Sequence, residues 1–173
     1  MGTLTVQTLQ APTSGANANK VLIPSGHTLD ASAGTLVPSA GHIVQHVFTD
    51  ITSPSTTVVS STSYVDINGA TVNITPKYQD SVMLIMYDVF VYAQANKSVY
   101  LQVFDGTNNS LGGYYSLWNG GSQWDSHVSG LQHYSFNSTS QQTVKLRAKG
   151  SDTTNASWAG NRQLTLSVTE IKQ

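Results

Sequence analysis

The residues best suited to contact a ligand lie in one glycine-rich stretch, GGYYSLWNGGSQW, from Gly112 to Trp124. It contains four large aromatic residues: Tyr114, Tyr115, Trp118 and Trp124. Amphipathic aromatic side chains on loops commonly contact sugars or partner proteins, and the neighbouring Asp125 and His127 could add hydrogen bonds. The alternative, which we favour, is that two or three of these rings pack into a subunit interface or cap the fold, because large aromatics dominate cores and interfaces alike.

Two histidines have a spacing that could bring them to one metal ion. His42 and His46 lie four residues apart on a predicted strand, so they share one face. In a threefold assembly with that face on the axis, three imidazoles could surround an ion. No cysteine, aspartate or further histidine accompanies them at the close spacing of zinc sites. We therefore expect a polar axial position, and no metal or cofactor.

The segment DGTNNS, from Asp105 to Ser110, has oxygen-bearing side chains at alternate positions, as the start of a calcium loop does. It lacks the central glycine and the distal glutamate that a calcium loop requires. Asp-Gly and Asn are also the residues that tight turns prefer. The segment therefore predicts a hairpin turn.

The sequence contains no recognisable catalytic motif. It has one glutamate, Glu170, and eight aspartates that are dispersed mainly at predicted turns. Acid–base catalysis requires titratable groups that are arranged to cooperate. A Gly-X-Ser-X-Gly motif, a phosphate loop and a His-X-X-X-His motif in a helical context are all missing. We expect that the protein is not an enzyme.

Charge and hydropathy exclude several classes of partner. The formal net charge is -1 and only 10% of residues are charged, which does not provide the basic face that nucleic acid requires. The longest apolar run, Val82 to Ala93, is interrupted by Asp88 and is shorter than the roughly 20 residues that span a bilayer, so we expect no membrane partner. Met1 is followed by polar residues instead of a secretory signal, which indicates synthesis in a cytoplasm.

Alternation of apolar and polar residues with period two predicts an all-β protein. It is clearest at Leu164 to Val168, Val144 to Ala148 and Val99 to Val103. Serine and threonine form about a quarter of the chain and favour strands and turns over helices. Many short strands separated by turn signals, including a predicted hairpin at Asn68-Gly69, indicate an antiparallel, jelly-roll-like β-sandwich from 42 to 173.

The run Val82–Ala93 shows almost no alternation. It fits a strand that is buried on both faces, or a strand with one face on the core and the other on a neighbouring subunit. We favour the second interpretation.

The first 41 residues differ from the rest of the chain. The block LIPSGH returns as LVPSAGH about 14 residues later, a spacing that indicates a structural repeat. The segment is too poor in apolar residues to enclose a core alone, and its prolines limit it to short strands that end in turns. It predicts an extended arm or short stem that sister copies complete; the alternative is a disordered tail.

Three segments of the chain, in the order in which they occur, resemble a group of tailed-bacteriophage virion proteins. These proteins are of the short-fibre, tail-fibre or capsid-decoration type and are common in marine and cyanobacterial phages. The three segments are LIPSGHTLDASAGTLVPSAGHIVQHV, YVDINGATVNITPKYQDSVMLIMYDVFV and LTLSVTEI. The matching motifs are Gly41 to Gln45, Val72 to Pro76, Ser81 to Ile85, and Glu170-Ile171. The resemblance covers about residues 20 to 171.

The resemblance implies a homotrimer of jelly-roll-like domains whose N-terminal segment leads to a phage particle. The expected location is the virion, after synthesis in the host bacterial cytoplasm, and the expected partners are other copies of the chain and capsid or tail proteins. The roughly 40 residues before the globular part favour a capsid decoration (cement) protein or short fibre over a long tail fibre. The alternative is a tail-fibre tip that binds a host-surface glycan through the four aromatics of the glycine-rich stretch.

The hypothesis of a trimeric particle protein predicts two sets of contact residues. The residues expected to anchor the arm to the particle are Leu4, Val6, Leu9, Leu22 and Leu36. The residues expected to form the trimer interface are Met83, Ile85, Tyr87 and Val89.

Overall fold

The chain divides into two units, Met1–Val37 and Pro38–Gln173. The structure, a computed structural model, describes residues 13–15, 25, 38–52, 57–118, 121–122, 124–153 and 157–173. The side chains of Val58, Trp118, Trp124 and residues 157–161 are not among the described parts. The five predicted anchoring residues, Leu4, Val6, Leu9, Leu22 and Leu36, lie outside the described residues.

The described residues form nine β-strands and no helix, so none of them belongs to a helix that could cross a membrane. The strands are β1 (Ile43–Ile51), β2 (Thr57–Val59), β3 (Val65–Ile74), β4 (Val82–Ala93), β5 (Ser98–Asp105), β6 (Ser110–Trp118), β7 (Trp124–Tyr134), β8 (Gln142–Gly150) and β9 (Ser157–Ile171).

Two antiparallel sheets contain these strands. The first sheet has the order β1-β9-β4-β7, with the short β2 paired to the other end of β9. The second sheet has the order β3-β8-β5-β6. The prediction of an all-β, antiparallel, sandwich-like fold is confirmed.

The core between the sheets follows from the period-two alternation. Leu164, Leu166 and Val168 on β9, with Val144, Leu146 and Ala148 on β8, are all buried in one apolar cluster. The intervening residues on β8, which include Arg147, lie on the outer face and are only half-buried. Because these two strands are apolar on the inner face, the sheets must cover each other to remove that face from water.

The predicted hairpin at Asn68-Gly69 is wrong, because both residues lie inside the continuous strand β3. The register against β8 shifts between Asp66 and Thr71, which marks a bulge. Gly69 has a φ of 80° there, a conformation that glycine adopts without strain. The Asn68 N–H donates to Thr57 Oγ1 at 2.8 Å. The Asn-Gly pair therefore bends one strand and does not join two.

Glu170 on β9 is fully buried, at 0% exposure. Its carboxylate accepts hydrogen bonds from Gln45 Nε2 at 2.6 Å and from Ser81 Oγ at 2.8 Å. The successive backbone N–H groups of Lys77 and Tyr78 also donate to it, at 2.8 and 3.0 Å. All four partners are donors, which suits an ionised carboxylate. The residue thereby connects β1, β9 and the segment between β3 and β4.

The turn predicted at Asp105 to Ser110 is confirmed. Asp105 Oδ1 accepts from the backbone N–H groups of Thr107 and Asn109, each at 2.8 Å. The Asp105 N–H donates to the Asn109 carbonyl at 2.9 Å, and Asn108 takes a φ of 68°. Burial alone would raise the pKa of the Asp105 carboxyl, but the hydrogen bonds from Asn109 and Thr107 outweigh it and lower that pKa.

Replacing the Glu170 carboxylate by an amide should destabilise the sandwich. In Glu170→Gln, an NH2 group faces donors that have lost an acceptor, so we expect the free energy of unfolding to fall by about 3 kcal/mol. Urea denaturation followed by circular dichroism measures the loss. The control is Asp80→Asn, which removes a carboxylate that is exposed and pairs with Lys172 at 2.6 Å. Equal stability of Glu170→Gln and wild type would contradict this role.

The Asp105 turn should contribute stability that depends on pH. Because folding lowers the pKa of this carboxyl, the contribution is present above its unfolded pKa of about 3.8 and is lost as the pH falls through the lower folded pKa. Asp105→Asn should therefore be less stable than wild type at pH 7, and the gap should close toward pH 2. Denaturation midpoints at both pH values test this; a gap that does not change with pH would disprove it.

Candidate interaction surfaces

The prediction that Met83, Ile85, Tyr87 and Val89 form the trimer interface is wrong, because these residues lie on the inner face of β4. All four side chains are buried in the apolar core of a single chain. The second sheet covers them, so they have no surface left for another subunit. The opposite face of β4, which carries Leu84, Met86 and Asp88, is the outer face of the first sheet.

A line of exposed apolar side chains crosses this outer face. Met86 on β4 lies opposite Leu131 on β7. On its other side, Ser167 of β9 separates it from Phe48 on β1. Phe48 is 61% exposed, Met86 47% and Leu131 64%. We call these three residues the apolar row. Exposed apolar groups that lie close together mark interaction surfaces more often than single ones do.

A polar line borders the apolar row. Asp50, Thr165, Asp88 and Ser129 lie opposite one another on the same four strands. An open depression of about 400 Å³ lies between the two lines, lined by Met86, Asp88, Leu131 and Thr165 among others. The surface thus combines an apolar floor with hydrogen-bonding groups at one side, as ligand and protein contacts usually do.

Asp88 organises the polar part of this surface. His127 Nδ1 lies 2.7 Å from one carboxylate oxygen, and Ser129 Oγ donates to the other at 2.5 Å. In a nucleophilic site the serine donates to the histidine, which acts as the base. Here both residues contact the carboxylate, so the three do not form such a relay. The expectation of no enzyme remains a prediction.

The two histidines considered as metal ligands have other contacts. His42 Nδ1 lies 3.1 Å from the Ser39 carbonyl, before β1 begins, and His46 Nδ1 lies 2.7 Å from Thr169 Oγ1 on the outer face. In the ranges that the structure describes, no three His, Cys, Asp or Glu side chains gather as metal ligands would. The expected absence of a metal or cofactor remains a prediction.

The four aromatics of the glycine-rich stretch are divided between environments. Tyr114 on β6 is 59% exposed. Tyr115, one position later on the strand, packs against the core. The side chains of Trp118 and Trp124 lie outside the described residues. Of the four, Tyr114 is the one that the structure shows at the surface.

Tyr114 belongs to a larger group on the outer face of the second sheet. Its ring stacks on Tyr100 of β5, with centroids 5.9 Å apart and planes 28° apart. The Lys149 ammonium of β8 lies 5.4 Å from the Tyr100 ring centre and 4.8 Å from that of Tyr64. We call Tyr64, Tyr100, Tyr114 and Lys149 the tyrosine–lysine face. The alternation of Lys145, Arg147 and Lys149 was its only signal in the sequence.

The phenol of Tyr64 is affected by its position in this group. Burial raises its pKa, and the neighbouring phenols of Tyr114 and Tyr100 raise that pKa further. The raised pKa keeps the Tyr64 hydroxyl protonated at neutral pH, so that it can donate a hydrogen bond to a ligand.

No protein-family model and no curated protein matches this chain in sequence. Its function must therefore be inferred from the two outer faces.

Adjacent residues of β4 should respond oppositely to a charge. Ile85→Asp buries an unpaired carboxylate in the core and should cost about 5 kcal/mol or more, so the chain should not fold. Met86→Asp places the same group on the outer face and should leave a folded protein with a cooperative thermal transition. Circular dichroism of both variants measures this. A folded Ile85→Asp, or an unfolded Met86→Asp, would show that the two faces are assigned incorrectly.

Proposed function

We propose that the protein is a non-enzymatic structural protein of a phage virion, a homotrimer that decorates the capsid or forms a short fibre. Its N-terminal arm, residues 1–41, attaches it to capsid or tail proteins. The resemblance in sequence order suggests this class, and the outer face of the first sheet supports the association between copies.

The order of the strands supports a jelly roll in particular. Eight principal strands lie in two layers of four, β1-β9-β4-β7 and β3-β8-β5-β6, and successive strands mostly change layer. Viral capsid domains are among the proteins built on this architecture. Since one fold serves many functions, the architecture alone does not decide the role.

The apolar row is the observation that carries the proposal. Burying one large apolar side chain contributes about 1.5–3 kcal/mol, so three of them on each copy would contribute substantially to association. The corrected interface uses Phe48, Met86 and Leu131 in place of the buried residues on the inner face of β4. We keep the expectation that one face of β4 meets a neighbouring subunit, but assign this contact to the outer face instead of the inner face.

A second candidate is a tail-fibre tip that binds a host-surface glycan. The exposed Tyr114, stacked on Tyr100, favours it because amphipathic rings on a flat sheet can receive the apolar face of a sugar. The two candidates use different sheets and do not exclude each other.

Sedimentation velocity of the purified full-length chain tests the proposed interface. Wild type should sediment as a trimer, while Met86→Asp and Leu131→Asp should sediment as folded monomers, because each trimer would bury three unpaired carboxylates. The matched control is Ser116→Asp, which adds the same charge to an exposed position on the second sheet and should remain trimeric.

A wild type that is monomeric at every concentration would contradict the trimer. A trimer that persists in both apolar-row variants would contradict the interface alone. Labelling the protein on intact particles separates the candidate roles, because decoration requires a copy number in the hundreds and a fibre tip requires only a few trimers.

A further inference from the structure

Charge is distributed unevenly on the outer face of the second sheet. Lys145, Arg147 and Lys149 alternate along β8 on this face, although the chain as a whole has a formal net charge of -1. One carboxylate, Asp66 on β3, pairs with two of these cations. Lys145 Nζ lies 3.0 Å from Asp66 Oδ2, and Arg147 Nε lies 2.7 Å from Asp66 Oδ1, although its N–H is not aimed at that oxygen.

Lys149 is the third cation and has a different environment. Among the described residues no carboxylate forms an ion pair with it. Its ammonium lies over the rings of Tyr64 and Tyr100, at 4.8 and 5.4 Å from their centres. Such cation–π contacts hold the ammonium in place without neutralising its charge. The face therefore presents one positioned positive charge to an incoming anion.

Arg147 contacts Tyr64 directly and also through Phe104. One NH2 group of its guanidinium donates to the Tyr64 carbonyl at 2.7 Å, and the guanidinium carbon lies over the Phe104 ring, 5.0 Å from the ring centre. Phe104 in turn contacts the Tyr64 ring, with centroids 4.8 Å apart. Rings held by their neighbours lose little conformational entropy when a ligand binds, which favours affinity.

Tyr114 gives the face an accessible apolar platform. Its exposed ring stacks on Tyr100, the same ring that Lys149 contacts from β8. One ligand can therefore place an apolar surface on Tyr114 and an anion at Lys149. A pyranose ring that carries a carboxylate has both features, since one sugar face is composed of C–H groups and the acid adds a single negative charge.

We infer that the tyrosine–lysine face binds a glycan built of uronic acid residues, with a sugar ring on Tyr114 and a carboxylate at Lys149. A carboxylate carries one negative charge and matches one ammonium that has no carboxylate partner among the described residues. A phosphate monoester carries nearly two charges and would favour a cluster of free cations, but Asp66 already engages the other two. This inference deepens the second candidate function, receptor binding, on which it rests. It is independent of trimer formation.

Titration calorimetry at low ionic strength tests the inference with the full-length protein. The probes are oligosaccharides of galacturonate, glucuronate and mannuronate–guluronate, each compared with its carboxyl-reduced, neutral form. At least one acidic oligosaccharide should bind, and its reduced form should bind about tenfold more weakly or not at all. The affinity should fall as salt is added, because the contact is exposed.

Variants locate the site. Lys149→Met keeps the apolar stem and removes the charge, and Tyr114→Ala removes the platform; each should weaken binding about tenfold while circular dichroism stays unchanged. The matched control is Lys172→Met. Lys172 also lies over a tyrosine ring, 4.9 Å from the centre of Tyr78, but its ammonium pairs with Asp80, so its loss should leave affinity unchanged.

The outcomes separate this inference from receptor binding in general. Equal binding of the acidic and reduced forms, no effect of Lys149→Met, or binding confined to phosphorylated or sulfated glycans would overturn the uronate assignment and leave receptor binding intact. If a glycan array that includes neutral sugars shows no binding at all, both fail. A monomeric wild type would affect neither result.

Discussion

The buried carboxylate of Glu170 is the polar contact on which the first sheet depends. A charge removed from water is tolerated only when donors surround it, and Gln45, Ser81 and two successive backbone N–H groups do so. These donors come from β1 and from the segment between β3 and β4. The hydrogen bonds to this carboxylate therefore fix the positions of β1 and of the start of β4 beside β9. These positions set the strand register that aligns the apolar row.

Once the inner faces of the sheets cover each other, the outer faces are the large flat surfaces of the described domain that remain for contacts with other molecules. The two outer faces differ in chemistry. The first has apolar side chains bordered by Asp88 and other polar groups, which suits another protein surface. The second has stacked tyrosines and a lysine with no carboxylate partner among the described residues, which suits a polar ligand that carries an anion. A structural role and a receptor-binding role can therefore coexist in one domain.

Local sequence patterns were sufficient to predict three features: alternation gave the fold class, the continuous apolar run gave the strand Val82–Ala93, and the turn-forming residues gave the turn at Asp105. They were not sufficient at Asn68-Gly69, where a bulge and a hairpin require the same positive φ. In β4 both faces are apolar, so alternation could not orient the strand; Asp88 was the usable signal, because a charge favours the outer face. The tyrosine–lysine face depends on the register that places Tyr100 opposite Lys149, which no local pattern specifies.

We propose that copies of the chain meet through the outer face of the first sheet. A side-chain-resolution structure of the purified oligomer, by cryo-electron microscopy or crystallography, tests it most directly. We expect three copies, with Phe48, Met86 and Leu131 of each buried at the subunit contacts. An oligomer in which these three side chains face solvent, while other residues join the subunits, would contradict it.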